Sequence, residues 1–139
     1  MLFNLITINL ASIIAVIFNN NPKLLKLLRV KKLNNNLVGL IFTTLIFLFS
    51  LNLWIFFNRL TYKFQYLSKL NYFKYFNLDL ILGIDGISLF FILLTTFIMP
   101  ICIISSWSII NRVEYILSLL FLELFLLLSF STLDFFFFF

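Results

Sequence analysis

Between Ile87 and Trp107 the chain runs for 21 residues without one charged side chain. At about 1.5 Å per residue, a helix of that length reaches roughly 30 Å, the thickness of a bilayer's hydrocarbon core. Backbone polar groups find no water there, so the run is expected to be a transmembrane helix that satisfies its own hydrogen bonds. It follows a Gly83-Ile84-Asp85-Gly86-Ile87-Ser88 stretch. Gly83 and Gly86 read as a turn, and Asp85 or Ser88 as the group that caps the free N–H groups of the first helical turn. Pro100 lies inside the run and is expected to kink it, a break that neighbouring helices can cover. Trp107 suits the headgroup zone at the far end.

Three further apolar runs are long enough to span, over 2–18, 37–57 and 113–139, and the first two are also free of charge. The fold class expected is therefore an all-α membrane protein, a bundle of about four transmembrane helices forming one domain over 1–139. Two polar stretches separate the first three spans. The loop 19–36 carries Lys23, Lys26, Arg29, Lys31 and Lys32 and no acid. Its interleaved leucines fit either a short amphipathic helix on the membrane surface or a basic loop that fixes topology. Either form favours anionic phospholipid such as cardiolipin over nucleic acid. The loop 58–84 mixes Arg59, Lys63, Lys69 and Lys74 with Tyr62, Tyr66, Tyr72 and Tyr75, a composition suited to the membrane–water interface. Leu78–Leu82 within it reads as a short extended segment.

Basic residues set the orientation. The loops after the first and third spans hold five and one, against four after the second. The excess puts those two loops on the inner side and the N-terminus on the outer side.

Composition excludes a soluble domain. Only 11% of residues are charged, against about 25% in soluble proteins. Phe occurs 21 times, although small residues usually serve helix contacts in membranes better. This skew points to an AT-rich organellar genome. The chain has no His and one Cys, Cys102, which excludes an internal disulfide and a cysteine-built cluster. It has no Gly-rich phosphate loop and no nucleophile–base pair. No metal, cofactor or redox centre is expected on it.

Glu123 and Asp134 are the charged residues deep in an apolar run. A charge at the bilayer centre costs roughly 2.5–3.5 kcal/mol on insertion scales, so such groups face protein or a water-filled path. On one continuous helix their spacing gives three turns plus about 20°, which puts both on one face about 16 Å apart. The pair is a candidate for two stations on a proton path, or for two contacts with polar groups on partner helices.

The stretch Gly83–Trp107 resembles the third transmembrane helix of the NADH dehydrogenase subunit 4 family, from the membrane arm of mitochondrial complex I. Phe64-Gln65-Tyr66 is similar to a motif ahead of that helix. Ser131-Thr132-Leu133-Asp134 and the phenylalanines after it resemble the approach to the next helices. The resemblance implies an antiporter-like, proton-translocating unit in the mitochondrial inner membrane, with other membrane-arm subunits as partners. The family's essential residues are a glutamate on its fifth helix and lysines on later ones. The chain ends at Phe139, before that position. It is thus expected to be the N-terminal part of a split subunit 4, completed by a second chain. The alternatives are a structural or assembly fragment without a proton role, and a subunit of a multisubunit cation/proton antiporter.

Overall fold

The computed structural model describes residues 2–21, 34–58, 60–61, 63–73, 78–108 and 112–133. The basic cluster Lys23, Lys26, Arg29, Lys31 and Lys32 lies outside the described residues, as does Asp134. Four helices form the body of the molecule: α1 (Leu2–Asn20), α2 (Asn35–Phe56), α3 (Gly86–Ser105) and α4 (Arg112–Ser131). All four are long and apolar enough to cross a membrane. Their ends differ from the expected spans by one or two residues at most positions, within the fraying of helix termini.

Each helix shows the others a narrow face. On α2 the buried residues are Asn36, Gly39, Thr43, Ile46, Ser50 and Leu53, with spacings that alternate between three and four. On α3 they include Leu89, Ile92, Thr96, Met99 and Ile103. This period of about 3.5 is the seam of antiparallel helices packed knobs-into-holes. Outward faces carry Ile55, Phe90, Phe97 and Phe125, all half or more exposed, as a lipid-facing or partner-facing surface requires.

The stretch 58–84, expected as an interfacial loop with a short extended segment at Leu78–Leu82, contains an antiparallel ribbon of β1 (Gln65–Phe73) and β2 (Leu78–Ile84). The ribbon closes one end of the bundle. There Leu82 and Ile84 pack with Leu2, Leu5 and Ile6 of α1, Leu53 of α2, Leu89 of α3 and Leu127 of α4. The grouping joins the starts of α1 and α3 to the ends of α2 and α4, which is up-down-up-down topology. The opposite end is held by asparagines. Asn19 of α1 hydrogen-bonds Asn35 of α2, and the Asn36 amide donates to the Trp107 carbonyl at 3.5 Å.

The fourth span is not helical through 113–139 as expected. The helix stops at Ser131 because the free edge of β2 takes the chain. Thr132 bridges Leu82, and the Leu133 N–H donates to the Ile81 carbonyl at 3.0 Å. The helix that carries Glu123 thus ends before Asp134, which lies outside the described residues.

Close approach of α2 rests on Gly39. A Cβ there would stand 2.9 Å from Cγ2 of Ile116 on α4. That methyl sits on a β-branched side chain with little freedom in a helix. Gly39→Ala is expected to lower the thermal stability of the folded chain in detergent. Adding Ile116→Ala should recover part of the loss, with a coupling of about 0.5–3 kcal/mol in a double-mutant cycle.

Candidate functional site: a buried carboxylate between two helices

Glu123 lies near the middle of α4 and is fully buried. Counted along the helix it is about 16 Å from Arg112 and about 12 Å from Ser131. The Asn9 side chain of α1, also fully buried, sits near enough to act on the carboxyl, yet no hydrogen bond of ordinary geometry joins them. Both side chains lack a hydrogen-bonding partner among the described residues. Ser12, one turn along α1, spends its hydroxyl on the Asn9 carbonyl at 2.6 Å.

The two polar groups mark a break in the apolar interior. On the ribbon side lies the cluster of Leu5, Ile6, Ile46, Ile92 and Leu127. On the asparagine side lies a second cluster of Ile13, Val16, Ile116, Leu120 and Leu124. Asn9 falls between them along α1, while Glu123 lies on α4 within the ribbon-side end of the second cluster, between Leu120 and Leu124. The carboxyl thus faces this chain's own first helix, so contact with a polar group on a partner helix is not needed to explain its burial. Glu123 stands out in the sequence by its charge, whereas Asn9 carries none. The signal was available, since Asn9 falls on the same three-and-four spacing as Leu2, Leu5, Ser12 and Val16.

A second polar contact joins α2 and α3, where the hydroxyls of Ser50 and Thr96 lie 2.9 Å apart. Pro100, four residues on, lacks the N–H that would bond the Thr96 carbonyl. Pro100 is itself buried within α3, which continues to Ser105.

At the ribbon end, Asp85 is the N-cap of α3. Its carboxylate accepts from the Ser88 N–H at 2.8 Å, and the Ser88 hydroxyl accepts from the Asp85 N–H at 2.9 Å. This capping box satisfies two orphan donors at once. Gly83 does not form a left-handed turn, as no described glycine has positive φ. It lies within β2, next to the last residue Ile84, where a Cβ would stand 2.8 Å from Leu133 and 2.9 Å from Leu67, so its role is to leave room. A Cβ on Gly86 would meet nothing within 4 Å.

The Phe64-Gln65-Tyr66 motif also acquires a physical role. The Gln65 amide donates to the Asn58 carbonyl at 2.6 Å and to the Thr61 hydroxyl at 2.8 Å, while its oxygen accepts from the Asn58 N–H at 3.0 Å. It clamps the link between α2 and β1. Tyr66, at φ 56°, turns its hydroxyl onto the Leu53 carbonyl at 3.3 Å, one of the carbonyls left free at the end of α2. Among the described residues no group of three or more His, Cys, Asp or Glu side chains could hold a metal ion.

The fold and the buried carboxylate define a multi-pass helical membrane protein with a titratable group in its interior. Comparison with known proteins narrows the class. No family model matches the chain. The chain is 46% identical over 100 residues to NADH-ubiquinone oxidoreductase chain 4 of Arabidopsis thaliana, covering 70% of this chain and 20% of that protein. It is 52% identical over 92 residues to the protein of the same name from Chondrus crispus, covering 65% and 19%. It is also 38% identical over 116 residues to an uncharacterized 50.9 kDa protein in ND4 intron 1 of Podospora anserina, covering 78% and 25%. The resemblance to the subunit 4 family therefore holds over most of the chain, and the chain spans about a fifth of the length of the chain 4 relatives it matches.

The Ser88 N–H favours the ionised form of Asp85 and holds its carboxyl below the usual carboxylate range. A lowered folded-state pKa means that the cap contributes fully above the unfolded value, about 3.9, and fades as pH falls through the folded one. Asp85→Ala is expected to fray the first turn of α3 at neutral pH, at a cost of about 1 kcal/mol. Amide hydrogen exchange over 86–89 should rise in this variant, and in the wild type only at strongly acidic pH.

Proposed function

We propose that this chain is a membrane-arm component of respiratory NADH:ubiquinone oxidoreductase and supplies the first four helices of its subunit 4 unit. The observation that carries the proposal is 46–52% identity to chain 4 proteins over about two-thirds of this chain, in a sequence that folds into four potential spans. The remaining four-fifths of the unit is then contributed by further polypeptide, on a second chain in the split-subunit reading. The membrane is the mitochondrial inner membrane. The positive-inside rule assigns the asparagine end and the basic loop to the matrix, and the ribbon and N-terminus to the intermembrane space. Anionic lipid gathers at the basic loop.

In this reading Glu123 is the chain's contribution to proton translocation. It is a single carboxylate, and a path across about 30 Å of hydrocarbon needs several titratable or hydrated groups. The others belong to the rest of the unit. NADH and quinone chemistry lies on other subunits.

A tagged form of the chain should co-purify with NADH-dependent quinone reduction. Purification with a membrane complex that lacks this activity would favour the cation/proton antiporter alternative. Within the complex, Glu123→Gln is expected to leave assembly intact and to lower proton translocation several-fold per NADH oxidised. Unchanged pumping with intact assembly would reduce the chain's role to structure and assembly.

A further inference from the structure

We infer that Asn9 and Glu123 form an acid–amide pair that binds one exchangeable proton inside the bundle and fixes the register of α1 on α4. The inference builds on the reading of Glu123 as a proton-handling group, but not on which complex the chain enters. It starts from hydrogen-bonding inventories. A neutral carboxylic acid offers one O–H donor and a carbonyl acceptor, and an amide offers N–H donors and a carbonyl acceptor. The two match in both directions. The Glu123 O–H donates to Asn9 Oδ1, and Asn9 Nδ2 donates to the Glu123 carbonyl oxygen. Two fully buried side chains that face one another and have no other partner among the described residues are thereby satisfied together.

Loss of the proton to solvent breaks the match. The carboxylate can only accept, so Asn9 Oδ1 is left without a donor in a dry interior. Among the described residues the helices offer no compensating cation beside it. α1, α2 and α3 carry no Asp, Glu, Lys, Arg or His within their bounds. The one titratable side chain on those three helices is the thiol of Cys102, half-buried on α3. On α4, Glu114 is exposed in the first turn, beside Tyr115, and Arg112 is about 16 Å away along the helix. Asp85 is engaged at the α3 cap. On β2, Asp79 is the one charged residue, and its backbone pairs with Asn71 in the ribbon. The site is thus built for the proton-bound form.

The same pair explains how two apolar helices choose one alignment. A shift of α1 by one turn along α4 moves Asn9 about 5.4 Å from Glu123 and strands both polar groups in apolar surroundings. Leu5 and Ile13 could trade neighbours at little cost, whereas Asn9 and Glu123 could not.

The experiment is infrared spectroscopy of membranes containing the full chain, comparing wild type with Glu123→Gln. The wild type is expected to show a protonated-carboxyl C=O band that is absent from Glu123→Gln. In Asn9→Leu that band should move to the higher frequency of an acid with fewer hydrogen bonds. If Asn9→Leu does not accumulate, Asn9→Ser gives the same readout with a smaller shift. Absence of the band in the wild type overturns the proposal, and so does a band that keeps its position when Asn9 is replaced. If the band behaves as expected while pumping is untouched by Glu123→Gln, the pair stands and the pumping role falls.

Discussion

Apolar helices in lipid have no hydrophobic reason to prefer one another over acyl chains. The positions that decide this bundle are accordingly the few that are not Leu, Ile or Phe. Gly39 lets α2 approach α4 until a single methyl group would collide with Ile116. Ser50 and Thr96 bridge α2 and α3. Asn19 and Asn35 tie the far end, and Asn9 and Glu123 meet in the middle. In a chain so short of small residues, these polar contacts carry the specificity that glycine and alanine supply in other membrane helices. The many exposed phenylalanines can vary among bulky apolar residues, because they face away from the bundle.

The ribbon solves a second problem set by the same solvent. Four helices end or begin at one face, and each leaves backbone groups without partners. Tyr66 satisfies a carbonyl at the end of α2, the Asp85–Ser88 box satisfies the start of α3, and Thr132 and Leu133 dock on β2 after α4. The stretches of resemblance to the subunit 4 family fall on these fastenings: Phe64–Tyr66, Gly83–Ser88 and Ser131–Leu133. Their residue types answer to backbone geometry at the closed end of the bundle.

Much of this was legible in the sequence. Hydropathy marked four spans because a single segment can cross lipid with its hydrogen bonds made only as a helix, and that rule leaves little freedom. Glu123 stood out because a lone carboxylate is costly there. Of the ribbon only the extended segment at Leu78–Leu82 was legible, because Tyr, Lys and Ser between spans fit an interfacial loop equally well; its strands are held by Leu82 and Ile84 reaching into a core shared with all four helices. The end of α4 was missed for a related reason. Periodicity extends a helix indefinitely, whereas here the free edge of β2 ends it at Ser131. Asn9 was legible in principle, but its importance depends on which helix faces α1, and that is a tertiary fact.

The proposed place of this four-helix unit, in complex I as the leading part of subunit 4, is tested by native-gel separation of mitochondrial membranes followed by mass spectrometry of the complex I band. Peptides of this chain are expected in that band, together with peptides that continue the subunit 4 pattern from its fifth helix. Migration of the chain elsewhere, or a complex I band without it, would rule that place out.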